Sequence, residues 1–190
     1  YPPHYGFVHP SGEWLASAWY GLPELFGPPP ADTRLISNPG CYPTATLLAL
    51  WKEGRTRFTN LLEKLTETDL LKKLALGPNS AGFLVRHIGD VELLFANNVF
   101  GLAHVQVHAS TVAKGHDTGE WTDLAALKAY VQESADTLRR AIEATSDADW
   151  DTVIETKEFG KKTKAEALGR IVTHTAYHAG QIGLVVKYGA

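Results

Sequence analysis

Methionine is missing from all 190 residues, and cysteine occurs once, as Cys41. A single thiol excludes an internal disulfide and fits a reducing cytoplasm, the setting expected here. No apolar run reaches the roughly 20 residues that span a bilayer, and no signal-peptide pattern opens the chain, so no membrane association is expected. An excess of positive charge is missing too. Against 21 Asp and Glu stand 18 Lys and Arg, for a formal net charge of −3. Lys161-Lys162 and Arg139-Arg140 read as solvated surface, and no nucleic-acid partner is expected. There is no internal repeat, no low-complexity tract and no Gly-rich turn joining a strand to a helix, so a dinucleotide has no binding loop. A start at Tyr1 without methionine reads as a fragment or a processed chain.

What is present falls into two textures, as one globular domain with an appendage. Residues 1–45 are rich in Pro, Gly and aromatics: Tyr20-Gly21-Leu22-Pro23, Pro28-Pro29-Pro30 and Asn38-Pro39-Gly40. Turns and extended pieces are expected there, with one short strand-like run, Thr33-Arg34-Leu35-Ile36, and no core of its own.

Residues 46–190 carry a helical period. Leu47, Leu48, Leu50, Trp51, Phe58, Leu61, Leu62 and Leu65 recur at three- and four-residue steps, with Pro43 in the first turn. A second helix starts at Asn79 or Ser80 and runs to about Phe100. After a connection over 101–121, in which Val105-Gln106-Val107 looks extended, Thr122 or Asp123 caps a third helix that ends past Ile142. A turn and a short extended piece at Val153-Ile-Glu-Thr-Lys157 precede Thr163-Lys-Ala-Glu166, a capping box that opens the fourth helix. The reading is an all-α fold, an antiparallel four-helix bundle with an irregular N-terminal extension.

The fourth helix contains His174-Thr-Ala-Tyr-His178-Ala-Gly-Gln181. Residues four apart on a helix share a face, so His174 and His178 can point at one object. Ile171, Val172, Ala176, Ile182, Leu184 and Val185 supply apolar surface around them. Histidines in such a setting need their ring nitrogens satisfied, by hydrogen bonds or by a divalent metal. On the second helix, His87 falls on the stripe of Phe83, Leu84, Val91 and Leu94. Three histidines converging in a bundle core satisfy one another poorly. Three protein ligands would leave a coordination position open, as at a working site rather than a structural one. Gln181 and Asp90 are candidates to support a ligand from behind. His104 and His108 are four apart in an extended run, and His116 sits in a Gly-rich turn, so these three read as ordinary surface residues.

Residues 46–190 resemble the DinB-like proteins, the DNA-damage-inducible and YfiT-like four-helix bundles. The resemblance lies in Arg86-His87-Ile88-Gly89-Asp90-Val91-Glu92 and in His174-Thr-Ala-Tyr-His178-Ala-Gly-Gln181-Ile182. It implies a metal triad of His87, His174 and His178, a divalent ion (zinc, nickel or iron), and usually a homodimer. It also implies a superfamily that includes thiol-dependent transferases and isomerases, hence a small-molecule substrate and a low-molecular-weight thiol as co-substrate.

The appendage carries a second resemblance. Tyr20-Gly21-Leu22-Pro23-Glu24-Leu25 and Ser37-Asn38-Pro39-Gly40-Cys41-Tyr42-Pro43-Thr44-Ala45 are similar to N-acetyl-γ-glutamyl-phosphate reductase. In that family the matching cysteine is the nucleophile, so Cys41 would be catalytic under this alternative, with NADP as reductant. A thiol at a helix N-terminus has a lowered pKa, which suits the role. The cofactor half and the catalytic histidine domain of such an enzyme have no counterpart here, so this piece reads as an inactive relic of a fused gene. A third reading is a non-catalytic binding module stabilised by its metal.

Overall fold

Helix starts in this chain are written in short polar side chains that satisfy the first free amides. Ser80 accepts from the Phe83 amide, Asp123 from the Ala126 amide, and Thr163 with Glu166 closes a reciprocal capping box. These caps open three of the four long helices in a computed structural model that describes residues 19–20, 28–34, 36–37, 42–102 and 107–190. The chain divides into two compact units, Tyr1–Tyr42 and Pro43–Ala190.

In the first unit, β1 (Trp19–Tyr20) pairs in parallel with β2 (Ile36–Ser37), matching Trp19 with Ile36 and Tyr20 with Ser37. A turn closed by the Thr33 amide on the Pro30 carbonyl at 3.0 Å precedes β2. Cys41 lies outside the described residues, as does His104.

The second unit is the four-helix bundle that the periodicity anticipates. Its long helices are α1 (Tyr42–Lys64), α3 (Ala81–Asn98), α5 (Leu124–Glu143) and α6 (Lys164–Tyr188). Two short helices sit in the connections, α2 (Glu67–Leu70) and α4 (Ser110–Lys114). A 3-10 turn over Asp147–Asp151 leads into an antiparallel hairpin of β3 (Val153–Thr156) and β4 (Gly160–Thr163).

The core has two apolar clusters. One gathers Phe58, Leu62, Leu84, Ile88, Trp121, Val131 and Ile182; the other gathers Trp51, Phe95, Val99, Leu138, Ile142, Trp150 and Ile171. Following each helix from one cluster to the other gives its direction. Helices α1 and α6 run one way, α3 and α5 the opposite way. Sequence neighbours α1 and α3 are therefore antiparallel, as are α5 and α6. Helices α3 and α5 run in the same sense, which requires the long connection between Asn98 and Leu124.

Between the clusters each helix contributes buried polar side chains, among them Arg55, Glu92, Ser134 and Thr175. Arg55 Nε donates to Glu92 Oε1 at 2.7 Å, and its Nη2 donates to the Val131 carbonyl at 2.7 Å. The Ser134 hydroxyl donates to Glu92 Oε2 at 2.6 Å. Buried charges persist only when paired and hydrogen-bonded in this way.

Candidate metal centre

Helices α3 and α6 bring His87, His174 and His178 together, each half-buried, with one ring nitrogen from each inside a group spanning no more than 4.8 Å. Helical spacing accounts for the pair on α6, and the opposed directions of α3 and α6 bring His87 to their height. His87 Nε2 and His174 Nε2 are 3.2 Å apart, and the ring centroids lie between 4.4 and 5.1 Å from one another. Phe83 stacks on His87 at 5.9 Å with an interplanar angle of 8°, closing one side against the core.

Two of the rings are tethered. His87 Nδ1 is 3.1 Å from the hydroxyl of Thr111, a residue of α4. His178 Nδ1 is 2.6 Å from Gln181 Oε1, an oxygen that can only accept, so Nδ1 carries the hydrogen and Nε2 is left bare. Gln181 in turn donates from Nε2 to the Tyr177 hydroxyl at 3.2 Å. The third ring has no such tether: His174 Nδ1 is buried and finds no hydrogen-bond partner among the described residues.

Burial lowers the pKa of all three imidazoles, to about 4 for His87 and about 3 for His174. The neighbouring histidines push the same way at His87 and His174, while Asp90 opposes at His87 and Gln181 opposes at His178. At neutral pH these are uncharged nitrogen donors, the form that binds metal.

The donor set fits a divalent cation. Two imidazole nitrogens on one tetrahedral ion at about 2.0–2.1 Å stand about 3.3 Å apart, close to the separation of His87 Nε2 and His174 Nε2.

Asp90 is fully buried and reaches His87 only through Thr111, whose hydroxyl donates to Asp90 Oδ2 at 2.7 Å. Gln181 contacts His178 directly. Two expectations on α6 fail. Ala176 and Leu184 face solvent, Leu184 with 51% exposure, because Leu184 lies about 200° round the helix from buried Ile182. His108 and His116 are both exposed. Thr111 escaped the sequence reading altogether, since nothing in the irregular connection signals a five-residue helix aimed at His87.

A cleft of about 320 Å³ shares Tyr177 and Gln181 with the histidine site. Leu74, Leu84, Leu184 and Val185 make its walls apolar, Asn79 adds an amide, and among the described residues no charged side chain lines it. Among the described residues no helix is long and apolar enough to cross a membrane.

Comparison with known proteins gives two separate likenesses. N-acetyl-γ-glutamyl-phosphate reductases match a short stretch. The enzyme of Dehalococcoides mccartyi is 56% identical over 50 residues, 26% of this chain and 15% of that protein. That of Aquifex aeolicus is 51% identical over 51 residues, 27% of this chain and 15% of its own length. The chain thus spans about 15% of the curated relatives it matches. The crystal structure of the mycothiol-dependent maleylpyruvate isomerase superposes with a TM-score of 0.61 at 18% identity, covering 74% of this chain and 61% of that one. A histidine-to-alanine mutant of the same isomerase gives 0.61 at 16% identity, with the same coverage. At such identities the likeness is one of fold. The DinB superfamily model matches residues 50–182, most of the bundle, and the chain belongs to that superfamily.

Proposed function

We propose that this protein binds a divalent metal through His87, His174 and His178 and uses it in a thiol-dependent transfer or isomerisation of a small molecule. The observation that carries the reading is the convergence of three uncharged imidazoles, with one ring nitrogen from each within 4.8 Å of the others. An ion held there would supply Lewis-acid chemistry, lowering the pKa of a thiol or water that reaches its open position.

The chain's own groups have defined parts in this reading. His87 and His178 hold fixed orientations through Thr111 and Gln181. The apolar walls of the adjoining cleft strip water from an entering molecule, while Asn79 and the Tyr177 hydroxyl are placed to orient its polar end. The uncharged lining that the described residues give this cleft favours a substrate whose non-reacting part is uncharged. Support for a thiol comes from the solved neighbour, a mycothiol-dependent isomerase. The co-substrate in this reading is a low-molecular-weight thiol of that general kind.

Elemental analysis of the purified chain tests the site. About one zinc, nickel or iron per chain is expected in the wild type, and a His174→Ala/His178→Ala variant should lose nearly all of it. Equal metal content in both proteins would sink the reading.

A further inference from the structure

The hydroxyl of Thr111 stands between a buried carboxylate and a candidate metal ligand, and its single hydrogen has one destination. Asp90 is ion-paired with Arg86, so its oxygens only accept. Oδ1 takes Arg86 Nε–H at 2.7 Å and the Tyr130 hydroxyl at 2.6 Å. Oδ2 takes the Thr111 amide at 2.9 Å and the Thr111 hydroxyl at 2.7 Å. With its hydrogen committed to Asp90, Thr111 Oγ1 meets His87 Nδ1 at 3.1 Å as an acceptor. The ring hydrogen must therefore sit on Nδ1, and Nε2 keeps its lone pair.

We propose that Thr111, backed by Asp90, is a positioning residue that locks His87 in the Nδ1–H tautomer and so keeps Nε2 bare for a divalent cation. The use of that lone pair rests on the metal-centre reading, whereas the tautomer itself does not. The surroundings hold Thr111 in place. Arg86 lies 3.7 Å over the Tyr130 ring, and its Nη2 donates to the His108 carbonyl at 3.1 Å and the Ser110 hydroxyl at 3.4 Å. One guanidinium, on the residue next to His87, thus ties the start of α4 to α3. Outer partners of this kind commonly change metal affinity about 10- to 100-fold when removed.

The test needs two variants and two readouts on the full chain. Thr111→Val keeps the branched shape and removes the hydroxyl; Thr111→Ser keeps the hydroxyl. Long-range ¹H–¹⁵N NMR of metal-free protein reads histidine tautomers directly. It should show Nδ1–H at His87 in the wild type and in Thr111→Ser, and a mixture or Nε2–H in Thr111→Val. Competition with a chromophoric chelator should show zinc affinity about 10- to 100-fold weaker in Thr111→Val and within about threefold of wild type in Thr111→Ser.

An Nε2–H tautomer at His87 in the wild type overturns the proposal. So does a folded Thr111→Val chain with unchanged tautomer and affinity, or a Thr111→Ser chain as weak as the valine variant. Should Thr111→Val not fold, the wild-type tautomer and the serine variant decide the matter. A wild type that shows Nδ1–H at His87 yet binds no zinc supports the lock and refutes the metal-centre reading instead.

Discussion

Burial keeps the three imidazoles uncharged, and that has a cost in acid. In the unfolded chain they titrate near 6.5, whereas in the folded one His87 titrates at about 4 and His174 at about 3, with His178 also lowered. Between those limits the unfolded chain binds more protons than the folded one, so folded-state stability rises with pH. It is fully present above the unfolded value and is lost as pH falls through the folded values. Chelator-treated protein should therefore melt lower at about pH 5 than at about pH 7.5, and a His87→Gln/His174→Gln variant should show a flatter dependence. Parallel curves by circular dichroism would show that other groups dominate. Asp69, held at about 2 chiefly by Lys72 and Thr66, acts only in stronger acid. At this scale the sequence revealed the residues whose chemistry follows from spacing. His174 and His178 are four apart, and His87 sits on a clear apolar stripe. Thr111 was hidden because a hydroxyl in an irregular connection has no periodic signature, and its role exists only through Asp90 and His87 together.

Elements were legible where a local rule writes them. Ser80, Asp123 and Thr163 cap three helices because short polar side chains reach the free amides, and those starts were readable to within one residue. The strand β4 was not, since Gly160-Lys161-Lys162-Thr163 has no apolar alternation and forms only by pairing with β3. Glycines show how packing overrides propensity. A methyl group on Gly82 would run into the Trp121 carbonyl, a piece of backbone that cannot swing aside, and would stand 3.2 Å from the Leu70 carbonyl. Nothing lies within 4 Å of the corresponding position on Gly169 in α6. Gly82→Ala is expected to destabilise by about 1–3 kcal/mol, and Gly169→Ala to stabilise by roughly 0.5–1 kcal/mol. Urea denaturation of the two variants checks the contrast, and shifts of the same sign would contradict the packing argument.

For the molecule as a whole, the amphipathic pattern announced an antiparallel bundle of four helices but did not reveal that α3 and α5 run in the same sense. A long connection permits either sense, and only the order in which α3 and α5 meet the two apolar clusters shows that they run together. The layer between those clusters was equally silent, because a single Arg, Glu, Ser or Thr inside an apolar stripe looks alike whether it is buried or turned outward. Glu92 is fully buried and holds both Arg55 and Ser134. Its replacement by alanine strands the Arg55 guanidinium, and a loss of about 3–5 kcal/mol is expected. Replacing Arg55 by Met and Glu92 by Leu together should recover most of that stability in denaturant titrations. A double variant as unstable as the single one would argue that the charges themselves, rather than their pairing, are required. The layer also has a mechanical consequence for α1 and α3. Sliding one along the other by a turn would carry Arg55 about 5.4 Å along the axis, farther than the 2.7 Å that now separates Arg55 Nε from Glu92 Oε1. Apolar contacts alone resist such a slip weakly, since one leucine serves much like the next. An ion pair set among them is a detent: it has a single notch, and α1 and α3 are seated in it.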